Sequence, residues 1–242
     1  MEIFAHRGAS GNFPENTIAA FKEAARLPVF GVEFDVHMAA DGELVVIHDE
    51  SIDRTSDGTG YVKDMSIADL KKHDFGSWFS PGFQGETIPT LSEVLDVFDS
   101  TNHKLNIELK SDIFPYEGMV EKVLDLIETR RMESRVIISS FDHAAIQFVK
   151  QLNPHIETAA LFMEVLVHPL DYLHKIPANA LHILFPAAIR PSMAEVIKSG
   201  MPIRTFTVND ETYAKTLKQT GIQAIFTDYP EKMNSLLSSN KN

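Results

Sequence analysis

Gly31-Val32-Glu33-Phe34-Asp35-Val36-His37-Met38-Ala39-Ala40-Asp41-Gly42-Glu43-Leu44-Val45-Val46-Ile47-His48-Asp49 holds two apolar runs on either side of an Asp-Gly pair. Asp-Gly is turn chemistry, so 32–38 and 44–47 read as the arms of a hairpin. Residues whose numbers sum to about 82 then face each other, which lays His48 beside Glu33 and Asp35. In an extended strand alternate side chains share a face, so both carboxylates aim the same way, about 6–7 Å apart at their Cα atoms. Two convergent carboxylates suit a hard divalent cation, with His48 in reach of whatever that cation binds. Taken alone, the pair also fits a solvated strand face and the histidine a structural role. The rest of the chain tips the balance. Ile3-Phe4-Ala5-His6-Arg7-Gly8 is a short apolar strand ending in a His-Arg-Gly turn, and Leu105-Asn106-Ile107-Glu108-Leu109-Lys110 is a strand carrying a carboxylate and a lysine.

Strand-like runs at 3–6, 32–36, 105–109, 136–139, 158–162, 182–185, 203–208 and 224–227 alternate with amphipathic stretches. Of these, 15–26, 91–98, 119–131, 144–152, 192–199 and 210–219 read as helices. Such alternation argues for parallel strands with crossover helices, and eight units argue for closure into an α/β fold, the (β/α)8 TIM barrel. As the returning arm of the hairpin, 44–47 adds no ninth barrel strand. Residues 49–89 are irregular and read as a small insertion after that hairpin, packed over one lip of the site within a single domain spanning 1–242. Its aromatics, Phe75, Trp78, Phe79 and Phe83, are expected to form its own core. A polar tail at 238–242 is expected to fray. Active sites of such barrels lie at the carboxyl ends of the strands, where His6, Arg7, Glu33, Asp35, Glu108 and Lys110 all fall. Ser140, Phe141, Asn209 and Asp228 stand at later strand ends, and Ser, Asn and Asp there also suit helix capping.

The 242 residues are 44% apolar, enough to bury a full core. Lys and Arg number 22 against 34 Asp and Glu, a formal net charge of −12, and no basic run occurs. That balance argues against nucleic-acid binding and against stable attachment to anionic membranes. No cysteine is present, which excludes disulfides and thiolate chemistry. The first strand begins too early to leave room for a signal peptide, and no stretch reaches the roughly 18 to 20 apolar residues of a membrane span. A soluble cytoplasmic protein is expected, and a homodimer is compatible with this reading. A small anionic substrate would need locally concentrated positive charge, which Arg7, Lys110 and a bound cation would supply.

Read in order, His6-Arg7-Gly8, Pro14-Glu15-Asn16-Thr17, Glu33-Phe34-Asp35-Val36, Asp41-Gly42, Val45-Val46-Ile47-His48-Asp49, Arg54-Thr55, Pro89-Thr90-Leu91, Asn106-Ile107-Glu108-Leu109-Lys110, Ser140-Phe141, Thr207-Val208-Asn209 and Thr227-Asp228-Tyr229-Pro230 resemble the glycerophosphodiester phosphodiesterase family. The resemblance runs from residue 5 to about 230 and is nearest to the family's short intracellular bacterial members. It implies a barrel that hydrolyses deacylated phospholipids, such as glycerophosphocholine or glycerophosphoethanolamine, to sn-glycerol 3-phosphate and an alcohol. It implies one divalent cation, Mg²⁺ or Ca²⁺, held by Glu33, Asp35 and Glu108. His6 and His48 would be the acid–base pair, with Arg7 and Lys110 as phosphate contacts. Where the family often has Trp before Thr-Val-Asn, this chain has Phe206, so Phe206 and Asn209 are expected at a wall of the substrate pocket.

The chemistry asks for these residue types independently. A phosphodiester monoanion resists nucleophiles, so a cation must neutralise charge and lower the nucleophile's pKa. One histidine removes a proton from the nucleophile while another supplies one to the leaving alkoxide. The nucleophile is either water or glycerol's neighbouring hydroxyl. Of the other histidines, His37 is expected to face solvent at the hairpin edge, His182 to stand within reach of the pocket, and His73, His103, His143, His155, His168 and His174 to lie at the surface or at helix ends. Two alternatives share this frame: a lysophospholipase D-like enzyme using the insertion's aromatics as an acyl trough, and a non-catalytic barrel binding phosphorylated alcohols.

Overall fold

The structure, a computed structural model, describes residues 1–238, so the tail expected at 238–242 lies, beyond Ser238, outside the described residues. Among the described residues there are nine strands: β1 (Glu2–His6), β2 (Gly31–Met38), β3 (Leu44–Val46), β4 (Lys104–Leu109), β5 (Val136–Ser140), β6 (Glu157–Phe162), β7 (Ala180–Leu184), β8 (Ile203–Phe206) and β9 (Ala224–Thr227). Eight of them run parallel, and because β1 pairs with both β9 and β2 the sheet closes on itself. The result is the (β/α)8 barrel that strand counting predicts. Parallel strands are covered on both faces, which is why they read as near-continuous apolar runs. Phe4, Ile137, Ala159, Ala180, Ala224 and Phe226 fill the barrel's interior. Side chains on the outer face, such as Phe34, Ile107 and Ile138, pack under the surrounding helices.

β3 stands apart from the barrel. It pairs antiparallel with the overhanging end of β2 in the register Val36↔Val46, His37↔Val45 and Met38↔Leu44, so every pair sums to 82 as the hairpin reading requires. Gly42 makes the turn possible with φ +84°, a conformation that costs a glycine little. β2 thus serves both barrel and hairpin with one strand, its first residues closing the barrel beside β1 and β4 and its last three holding the hairpin.

Several boundaries differ from the sequence-based expectation, each for a local reason. The first helix runs Ile18–Ala24 rather than 15–26, because Asn16 takes φ +56° and Thr17 caps the helix by accepting from the Ala20 amide at 3.3 Å. Glu15 is thereby freed from the helix. β7 begins at Ala180 and ends at Leu184, since Phe185-Pro186 opens the helix Phe185–Ala188 with proline in its first turn. The 192–199 helix is divided into a 3-10 turn, Pro191–Met193, and Ala194–Ser199. β8 stops at Phe206, before the cis peptide to Thr207. The helix Leu91–Phe98 matches expectation and carries a full capping box between Thr90 and Glu93.

Residues 49–89 contain the short helix Ile67–Leu70 and two 3-10 turns. Ile52, Val62, Leu70, Phe75 and Ile88 cluster there with Ile47 of the hairpin. Trp78 is partly exposed but donates its indole N–H to the Phe75 carbonyl, while Phe79 stacks edgewise on Phe83 at 5.8 Å. Phe83 in turn lies 5.4 Å from Phe13, which ties this segment to the loop after β1. Among the described residues, no helix is long and apolar enough to cross a membrane.

Candidate active site

A cavity of about 460 Å³ opens at the carboxyl ends of the barrel strands, and His6, Arg7, Glu33, Asp35, His48, Glu108, Lys110 and Phe206 all line it. Residues spread over 200 positions of sequence therefore meet in one space. A wider groove of about 800 Å³, beside Val165–His168 and Arg190–Lys198, contains none of these groups.

Strand register places the carboxylates. His6 lies beside Glu33 across β1 and β2, and Asp35 beside Glu108 across β2 and β4. One oxygen from each of Glu33, Asp35 and Glu108 falls within 4.8 Å of the others. Burial, then the nearby Asp35 and Glu108, push the Glu33 carboxyl well above its ordinary range. Glu108 is raised as well, by burial and by Asp35, against the pull of Lys110. Asp35 moves the other way, since burial is outweighed by His48, Arg7 and Lys110 and by a 2.9 Å hydrogen bond from Asn16 Nδ2. Glu33 Oε1 is buried with no partner. An all-oxygen donor set, with an orphaned buried oxygen and carboxylates that resist ionising together, fits a hard divalent cation.

Each histidine leans on a carboxylate. His6 Nδ1 is 2.6 Å from Asp228 Oδ1, and His48 Nδ1 is 2.7 Å from Asp49 Oδ1. A carboxylate only accepts, so both imidazoles carry a proton on Nδ1 and turn Nε2 toward the cavity. Asp228 is itself fixed by Ser10 Oγ at 3.1 Å and Asn209 Nδ2 at 2.6 Å. Asp49 receives Arg54 Nε at 2.7 Å, and Arg54 also grips Glu15. The hydrogen bonds from His48 and Arg54 hold Asp49 below the usual carboxylate range.

Arg7 sits in a left-handed turn with φ +55°, its amide donating to Glu33 Oε2 at 2.9 Å. Backbone strain of this kind persists where surrounding structure enforces it. Gly8 follows, and a Cβ there would meet Ala20 at 2.8 Å, so the turn admits only glycine. The Arg7 guanidinium bonds Glu15 at 2.8 Å and lies 3.5 Å from Asp35. Lys110 Nζ is 3.1 Å from Glu108 and 3.5 Å from His48 Nε2. Burial works against its charge, but Glu108 and Asp35 raise its pKa on balance.

Two expectations need correction, and Ser140 follows its capping alternative. His37 does not face solvent. It is fully buried, with Nδ1 3.0 Å from the Tyr116 hydroxyl and Nε2 3.2 Å from the His48 carbonyl, because the loop after β4 folds over the end of β2. Asn209 is not part of the cavity lining, since its amide is spent on Asp228 and its oxygen accepts from Thr227 Oγ1 and the Asp228 amide. Ser140 serves structure, donating to the Leu109 carbonyl and capping Asp142. His182 does line the cavity, as its strand position suggests. The sequence reading gave no role to Glu15, Asp49 or Arg54. Asp49 is adjacent to His48, a signal that was available.

Fold and site together define the class: a TIM barrel with two carboxylate-anchored histidines and an acidic cluster that could hold a cation at its strand ends. The profile of the glycerophosphoryl diester phosphodiesterase family matches residues 6–232, and the chain belongs to that family. It is 40% identical over 235 residues to a glycerophosphodiester phosphodiesterase of Caldanaerobacter subterraneus subsp. tengcongensis, covering 97% of each chain. A glycerophosphodiester phosphodiesterase of Bacillus altitudinis is 41% identical over 234 residues, with 96% of each chain covered. Among solved structures, an Oleispira antarctica phosphodiesterase in complex with the product sn-glycerol-3-phosphate superposes with a TM-score of 0.94 at 32% identity, covering 98% of this chain and 97% of that one.

Proposed function

We propose that this protein hydrolyses glycerophosphodiesters to sn-glycerol 3-phosphate and an alcohol, with a divalent cation, Mg²⁺ or Ca²⁺, held by Glu33, Asp35 and Glu108. The observation that carries the reading is the pairing of two carboxylate-anchored histidines with that cluster in one cavity. A binding-only barrel has no use for two oriented proton carriers. The relatives' activities and the product complex of the Oleispira structure support the same substrate class.

Charge explains why a cation is needed. Arg7 and Lys110 are already paired with carboxylates, so they alone would not welcome a phosphodiester anion. A divalent cation held by the three carboxylates would supply the missing positive charge and lower the pKa of the attacking nucleophile, water or glycerol's hydroxyl. His48 presents Nε2 as an acceptor to Lys110 Nζ, which suits it to take the nucleophile's proton. His6 has Asp228 on one nitrogen and Glu33 3.9 Å from the other, so its protonated form finds a carboxylate on each side and suits the general acid. Arg7 and Lys110 orient the phosphate. Phe75 is buried in the insertion's own cluster, Phe79 stacks on Phe83, and none of the insertion's aromatics lines the cavity that holds the histidines and carboxylates.

The test is release of sn-glycerol 3-phosphate from glycerophosphocholine and glycerophosphoethanolamine in Mg²⁺, in Ca²⁺ and in EDTA, with His6→Ala and His48→Ala alongside. Metal-dependent release, lost in both variants, is expected. Full activity in EDTA would remove the cation from the reading, and near wild-type turnover in both variants would remove the histidines.

A further inference from the structure

The cavity has two unlike halves. Charged groups from β1, β2 and β4 crowd one side, whereas Phe141, Leu161, Met163, Leu184, Phe206 and Phe226, with Thr207 among them, make the other largely apolar. One polar ring breaks that apolar half, His182 on β7. Register sets it between Leu161 of β6 and Arg204 of β8. It is fully buried, and its ring lies 5.0 Å from Phe226.

Arg204 decides which nitrogen carries the proton. The buried guanidinium places Nη1 3.1 Å from His182 Nε2 and anchors Nη2 on Glu157 at 2.5 Å. Arginine only donates, so Nε2 must accept, and a neutral imidazole then has its single proton on Nδ1. Burial and the adjacent Arg204 hold His182 well below the ordinary imidazole range, in keeping with a neutral ring. His182 Nδ1 is buried and has no hydrogen-bond partner within the protein. An unpaired buried donor is costly, and a fixed one beside a cavity is ready for a ligand acceptor.

We infer that His182 Nδ1–H is a substrate-binding donor that recognises an uncharged hydroxyl oxygen in the polyol portion of the diester. This inference rests on the proposed phosphodiesterase reading and deepens it. A phosphate oxygen is the wrong acceptor, because Arg7, Lys110 and the carboxylate cluster that would hold a cation lie on the charged side. An alcohol hydroxyl, apolar in its carbon frame and able to accept one hydrogen bond, matches an apolar wall with one N–H. Arg204 acts through His182 as a positioning residue, since it fixes the tautomer.

The experiment compares wild type, His182→Phe and His182→Asn on glycerophosphoglycerol and on glycerophosphocholine, with inhibition by inorganic phosphate and thermal melting measured alongside. His182→Phe is expected to lower kcat/KM roughly ten- to hundredfold, mainly through KM, as loss of a buried hydrogen bond predicts. Phosphate inhibition should not change, because phosphate has no hydroxyl-bearing carbon to recognise. Asn can accept from Arg204 and donate to substrate, so His182→Asn should recover most of the loss. Equal loss on both diesters assigns the hydroxyl to the glycerol unit common to them, and loss on glycerophosphoglycerol alone assigns it to the leaving alcohol. Unchanged kcat/KM on both, an equal loss in both variants, or a parallel loss of phosphate inhibition would overturn the inference. Failure of wild type to release sn-glycerol 3-phosphate is a separate outcome, which would strike the phosphodiesterase reading first and this one with it.

Discussion

Asp49 and Asp228 give two histidines a direction. Each carboxylate fixes a proton on Nδ1 and leaves Nε2 for the substrate side. Replacing either with Asn keeps the shape but lets the amide donate, which allows the wrong tautomer. Asp49→Asn and Asp228→Asn are each expected to lower kcat by roughly a hundredfold or more with little change in KM, in steady-state assays on glycerophosphocholine. At this scale the placement of His6 and His48 in one cavity was legible, because both stand at strand ends beside carboxylates. Asp228 was not, since it stands 222 positions from His6 and also fits the description of a helix cap.

At the scale of elements, the overhang of β2 builds the site. A strand that ended with its barrel partners would leave no template for β3, and His48 would have no fixed position. His37 locks the two arms together through the His48 carbonyl and Tyr116. His37→Leu removes the donor to that carbonyl, so a loss of about 1–3 kcal/mol in denaturant unfolding is expected, with reduced turnover as His48 shifts. Thr90→Ala is the contrasting case. It breaks the capping box of Leu91–Phe98, costing about 1 kcal/mol in the same unfolding assay while kcat stays unchanged. The hairpin register was readable from the Asp-Gly turn and the alternation around it. The burial of His37 is not legible along the chain, because it comes from the loop carrying Tyr116, 79 positions away.

For the molecule as a whole, the buried carboxyl cluster is a stability cost that a bound cation would relieve. Glu33 and Glu108 have folded-state pKa values above their ordinary ones. The unfolded chain therefore releases these protons first as pH rises, and the contribution of these two carboxyls to the stability of the metal-free fold falls from about pH 4.5 upward through the raised values. Cation binding must displace any protons still held, so apparent affinity for Mg²⁺ or Ca²⁺ is expected to strengthen as pH rises. Thermal melts with and without each cation at pH 5 and pH 8 check this, and the gain in Tm should be larger at pH 8. The barrel's interior sets the opposite side of the balance. Phe4 is fully buried between Phe30 and Phe226, and Phe4→Ala is expected to cost about 3–5 kcal/mol in equilibrium unfolding.

The chain's own pattern determined the α/β class, the eight-fold repeat, the hairpin register and the residues that gather at the strand ends. It could do so because strand alternation, turn chemistry and burial on both faces act over a few neighbouring residues. Tertiary structure alone decided which groups are anchored and which are free. Glu15 left its helix to join Arg7 and Arg54, Asn209 turned to Asp228, and His182 received its tautomer from Arg204. Each of these depends on partners brought close by barrel closure, and the hydrogen bonds and charges that fix a proton's position act through space rather than along the chain.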